Sequence, residues 1–94
     1  MPKVTVAVKG VRRAAAIVET DVVDLTLNAA GALEGSKTMA VVDPVHVALT
    51  LSDEAGAAFE TTITINQVGS AVRKGKLTND YGYRFYDIPL AEFE

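Results

Sequence analysis

The chain has 94 residues, enough for one compact domain and too few for two. Its net charge of −3 argues against a duplex nucleic-acid binder, which takes most of its affinity from neutralising phosphates. The absence of cysteine excludes disulfides, thiolate metal sites and a cysteine nucleophile together.

Val4, Val6 and Val8 alternate with Thr5, Ala7 and Lys9, which predicts a half-buried strand ended by Gly10. The next segment, "VRRAAAIVET", supports two readings. Val11, Ala15, Val18, Val22 and Leu25 recur at helical spacing, but Ile17 and Val23 fall off that stripe and no N-cap precedes Val11. Strands over residues 14–19 and 22–28 are the preferred reading, with a short helix over 11–20 as the alternative. Residues 28–36, "NAAGALEGS", read as a loop, and 38–42 as a short strand broken by Asp43-Pro44. Val45, Val47, Leu49 and Leu51 then alternate with His46, Ala48 and Thr50. After the polar turn "SDEAGAA", Phe59, Thr61, Ile63 and Ile65 alternate again, so residues 45–65 are expected to form a β-hairpin. Gly69, Gly75 and Asn79-Asp80 punctuate residues 66–80, where a short helix over 66–74 or a short strand fits. A closing strand runs from about Gly82 to Ile88 and stops at Pro89. Short strands separated by turns predict an all-β, single-domain β-sandwich over residues 1–94, ahead of a small barrel.

The expected core is Val6, Val8, Val23, Leu25, Leu27, Val41, Val47, Leu49, Phe59, Ile63, Ile65 and Phe85. Much of the 49% apolar content is alanine and valine, and aromatics make up only 6%. Small side chains bury little area each, at about 25 cal/mol per Å². Modest stability, or extra burial through self-association, is therefore expected.

The motifs that would carry chemistry are sparse. His46 is the single histidine, with no nucleophile at a recognisable spacing and no second nitrogen or sulfur ligand for a metal. A solvated residue on the polar face of a strand is the simpler reading. Asp53-Glu54 and Asn79-Asp80 lack the spaced acidic pattern of a calcium loop and read as turn residues. Arg73, Lys74 and Lys76 form the dense positive cluster, a candidate site for an anionic or carbohydrate ligand. "RKGK" has neither the glycine spacing of a phosphate loop nor the Ser/Thr after its lysine. No catalytic, metal or cofactor site is assigned.

The last eighteen residues, "LTNDYGYRFYDIPLAEFE", hold every tyrosine and two of the three phenylalanines. If Phe85 points inward, Tyr83 follows it, and Arg84, Tyr86 and Tyr81 are left as an exposed aromatic and guanidinium surface. Tyrosine and arginine are enriched at interface hot spots. Tyr81, Arg84 and Tyr86 are therefore the expected partner-binding residues. The structural reading is that tyrosine suits a strand with one wet end.

"PVHVALTLSDEAG", Pro44 to Gly56, and "TNDYGYRFYDIPLAEF", Thr78 to Phe93, together resemble prealbumin-like sandwich domains, the group of Cna-B repeats and carboxypeptidase regulatory-like domains. Thr78, Asn79, Gly82, Tyr83, Phe85, Ile88, Pro89 and Phe93 occupy roughly the places of that group's Thr-Asp, Gly, Tyr, Phe, Leu-Pro and Tyr run. Gly82 and Tyr83 are one residue closer here, and Ala91 replaces the glycine after the Leu-Pro turn. The isopeptide-forming residues of Cna-B domains have no matching positions, and none is carried over. The resemblance implies a seven-strand-type β-sandwich acting as a binding, spacer or accessory domain rather than an enzyme.

The expectation is thus a non-catalytic interaction module that binds a protein partner or self-associates, without nucleic acid or membrane. A ligand domain using the basic and tyrosine residues is the second reading, and an enzyme built on His46 the third. With no apolar leader and no membrane-length segment, a cytoplasmic location is the default.

Overall fold

A computed structural model describes residues 2–93 and shows nine strands in two antiparallel sheets packed face to face as a β-sandwich. The strands are β1 (Lys3–Lys9), β2 (Arg13–Val18), β3 (Asp21–Val23), β4 (Thr26–Leu27), β5 (Leu33–Thr38), β6 (Val45–Ser52), β7 (Ala58–Ile65), β8 (Gly69–Lys76) and β9 (Tyr81–Ile88). Sheet A runs β4-β5-β1-β7-β8, and sheet B runs β3-β2-β6-β9. A 3-10 turn at Leu90–Glu92 is the one helical element among the described residues. No helix there is long and apolar enough to cross a membrane.

Strands form where β-branched residues alternate, because their stiff side chains pack well on a pleated surface. In β1, Val4, Val6 and Val8 are fully buried, and the partner strand β7 contributes Phe59, Ile63 and Ile65 to the same interior. Sheet B adds Ala16 and Val18 from β2, Val23 from β3, Val45, Val47, Leu49 and Leu51 from β6, and Ile88 from β9. Loop residues Met39 and Leu77 and the C-terminal Phe93 close the cluster.

Several expectations need correction. Neither helix forms: residues 13–18 are a strand, and residues 66–74 are a turn followed by β8. The strand expected over 22–28 splits into β3 and β4, which belong to different sheets. The loop expected over 28–36 contains the start of β5. The strand expected over 38–42 does not form, since β5 ends at Thr38.

Strands β6 and β7 have the expected limits but are not a hairpin. β6 pairs with β2 and β9, while β7 pairs with β1 and β8, so residues 53–57 arch from one sheet to the other. The arch is held by bonds to the neighbouring β8–β9 crossover. The Gly56 amide donates to the Leu77 carbonyl at 2.7 Å, and the Leu77 amide to the Ala57 carbonyl at 2.9 Å. Alternation reports which face a residue occupies and is blind to which strand lies beside it.

Of the expected core, Leu25 and Val41 are only partly buried, and Leu27 and Phe85 are exposed. Leu27 lies on the two-residue edge strand β4. Phe85 is the consequential correction, because it inverts the reading of β9.

Candidate interaction face

The phase of β9 is set by its neighbour. Val45, Val47, Leu49 and Leu51 of β6 are buried, and their cross-strand partners are Ile88, Tyr86, Arg84 and Gly82. Directly paired residues share a face of the sheet. Those four residues therefore turn toward the interior, and Tyr81, Tyr83, Phe85 and Asp87 turn out. The expected partner-binding trio is thus divided: Tyr81 lies outside, while Arg84 and Tyr86 lie on the inner side.

Arg84 bridges the edge strands β9 and β8 along one open edge of the sandwich. Its guanidinium carbon sits 5.3 Å from the centroid of the Phe59 ring. Its two terminal nitrogens donate to the carbonyls of Tyr83 at 2.7 Å and Lys76 at 2.8 Å. The same ring packs on its cross-strand partner Gly75, where an added Cβ would lie 2.8 Å from Phe59 Cζ. A cross-strand aromatic over a glycine is a known way to cover exposed backbone. Tyr86 packs against the core, and its burial pushes the phenol above its ordinary pKa, against the opposing pull of Arg84 and Arg73.

On the outer face of sheet B, register assembles side chains far apart in sequence into four rows. Arg13, Ser52 and Tyr81 form the first, and Ala15, Thr50 and Tyr83 the second. The third is Val22, Ile17, Ala48 and Phe85. His46 and Asp87 form the fourth, joined by Glu19 from the β2–β3 turn. The two middle rows are almost wholly apolar. Phe85 is 78% exposed, Tyr83 59%, Val22 56% and Ile17 43%. The Tyr81 and Tyr83 rings meet edge to face with centroids 6.3 Å apart. A hollow of about 100 Å³ opens beside Phe85, between Ile17 and His46.

His46 belongs to this face. Its Nδ1 donates to Asp87 Oδ1, and its backbone amide donates to Glu19 Oε1 at 3.4 Å. The hydrogen bond to Asp87 raises the imidazole pKa above 6.5, aided by the charges of Asp87 and Glu19 and opposed by desolvation. Among the described residues, no group of three His, Asp or Glu side chains converges in a way that could hold a metal ion.

No protein-family model, no curated protein and no solved structure matches this chain.

The basic cluster is also divided by strand alternation. Lys74 and Lys76 point outward from β8, while Arg73 turns inward and donates to Glu92. Lys9 of β1, two strands away, takes Arg73's place. Lys9 pairs in register with Glu60, and Glu60 with Lys74, whose ammonium lies 3.6 Å from the Glu60 carboxylate. Lys9, Lys74 and Lys76 thus rim a recess of about 560 Å³ on the outer face of sheet A.

Ile17, Val22 and Phe85 were missed as surface residues. Ile17 carried a readable signal, because it alternates out of phase with Ala16 and Val18 on one short strand. Nothing local marked Phe85, whose direction depends on its pairing with Ala48.

Proposed function

We propose that this chain is a non-catalytic interaction module whose working surface is the outer face of sheet B. The observation that carries this reading is the contrast between its two middle rows and the outer face of sheet A. The sheet A rows run Ser36, Thr5, Thr64, Ser70 and Lys9, Glu60, Lys74, with Ala7 and Val72 as the apolar members between them. A contiguous apolar patch on one face of a domain marks a surface that another surface covers. Apolar residues in the middle rows, polar residues at the ends of the strands and aromatic rings along the edge strand β9 are the residue types enriched at protein interfaces. The resemblance of Pro44–Gly56 and Thr78–Phe93 to prealbumin-like domains implies the same kind of role.

The test is a photo-crosslinking residue, benzoylphenylalanine, placed at Phe85 or at Thr62 in cells of the source organism. The reading expects discrete protein adducts from position 85 and none from position 62. Equal labelling from both positions, or adducts from position 62 alone, would contradict it.

A second reading is favoured by the recess among Lys9, Lys74 and Lys76, which suits an anionic or sulfated carbohydrate ligand. Titration with inorganic phosphate and with a sulfated disaccharide would shift the amide signals of Lys9, Gly10 and Gly75. Unmoved signals at millimolar ligand would end this reading.

A further inference from the structure

We propose that the occupant of this face is a second copy of the chain, docked about a two-fold axis that crosses the strands of sheet B at right angles. The inference rests on the interaction-module reading and adds the partner and its orientation.

The face is polarised along its strands. Arg13 marks one end; Glu19 and Asp87 mark the other, beside His46. Carboxylates near the Arg13 end are Asp53, Glu54 and Asp80, all in the loops beyond the strands. Arg12 takes up the first two at 3.5 and 3.6 Å, and Arg13 makes no ion pair among the described residues. Such a face is complementary to its own copy turned end for end, and a two-fold axis across the strands performs that turn.

The register places the axis. Arg13 at the start of β2 and Glu19 just past its end have their midpoint at Ala16, residues 46 and 52 on β6 at Leu49, and residues 81 and 87 on β9 at Arg84. Ala16, Leu49 and Arg84 are cross-strand partners in a single row. An axis over that row lays Ile17, Ala48 and Phe85 of one copy on Ala15, Thr50 and Tyr83 of the other. It brings Arg13 over Glu19 and the Tyr81 phenol over Asp87, each twice. Phe85 then meets a tyrosine ring on either side of the axis, in the offset or edge-on geometry that aromatic pairs favour. Sheets stack face to face about 10 Å apart with strand directions within about 30°.

The area is adequate for a weak, specific dimer. Three strands taken over about seven residues each and the three-residue β3, at about 4.8 Å spacing and about 3.3 Å rise, give a face of roughly 380 Å² per copy. Roughly 760 Å² in total lies well below the range of about 1,200–2,000 Å² for stable complexes and suits a weak, transient dimer.

Sedimentation equilibrium on the full chain, from about 10 µM to 1 mM at low salt, tests the proposal. The wild type is expected to dimerise. Arg13→Glu and Glu19→Arg are each expected to weaken the dimer about tenfold, since each loses two symmetry-related pairs. The double variant, carrying both reversals, is expected to recover it, which excludes misfolding as the cause. Phe85→Ser is expected to be monomeric. A dimer lost in Phe85→Ser but indifferent to both charge reversals would overturn the axis and leave the face. A dimer indifferent to all the variants would overturn the face as well. A wild type that stays monomeric throughout would overturn the second copy as occupant, while crosslinks from position 85 to another protein would still uphold the interaction module.

Discussion

Three side chains show how a residue's neighbours decide its contribution. Thr61 is fully buried on β7 and its hydroxyl has no hydrogen-bond partner among the described residues. An unpaired buried hydroxyl carries a desolvation cost that an isosteric methyl group lacks. Thr61→Val is therefore expected to raise stability by about 1 kcal/mol, measured as an upward shift of the urea midpoint at unchanged slope. Arg84 covers Phe59 and satisfies two carbonyls, so Arg84→Ala is expected to destabilise by about 1–3 kcal/mol, with a lower thermal midpoint. A stability unchanged by Arg84→Ala would remove Arg84 from the structural role argued above. His46 has its pKa raised in the folded chain, so its contribution to stability is fully present below about pH 6.5 and is lost as pH rises through the folded value. Thermal midpoints should fall modestly across that window in the wild type. The part due to His46 should shrink in Asp87→Asn, which removes the largest cause of the raised pKa and leaves only the charge of Glu19.

At the scale of elements, the sequence told faces better than neighbours. Val4, Val6 and Val8, the valines and leucines of β6, and the apolar positions of β7 are buried as their alternation predicted. The hairpin over 45–65 failed because pairing is a long-range property: β6 lies between strands that begin at residues 13 and 81. β9 failed for a related reason. A strand with aromatics on both faces gives no local cue to its phase, and choosing Phe85 for the core put Ile88 outside. The interaction face was illegible for the same reason. Its rows collect Val22, Ile17, Ala48 and Phe85 from four strands, and only pairing brings them together. Glycines mark where elements approach closely. Gly10 has φ +90°, and an added Cβ would lie 2.2 Å from the Ala58 carbonyl oxygen, whereas Gly56 at φ +89° faces open space. Gly56→Ala should cost about 1–2 kcal/mol from backbone strain alone. Gly10→Ala adds a backbone clash and should cost clearly more. Equal denaturant midpoints for the two variants would contradict the close packing of β1 against β7.

For the molecule as a whole, the two outer faces differ in kind. Sheet A presents threonine, serine and paired charges, while sheet B presents aromatic and aliphatic rows between charged ends. A domain that builds half of its buried core from valine and alanine gains less burial from it than one filled by larger side chains. Covering the sheet B face adds apolar burial where the monomer leaves it in water. A concentration series of amide chemical shifts is the most direct measurement. From about 20 µM to 1 mM, the account predicts progressive shifts at Ala15, Ile17, Ala48, Thr50, Tyr83 and Phe85, with Thr5, Thr62 and Thr64 of sheet A unmoved. A spectrum that does not change with concentration, or changes centred on the sheet A residues, would contradict it.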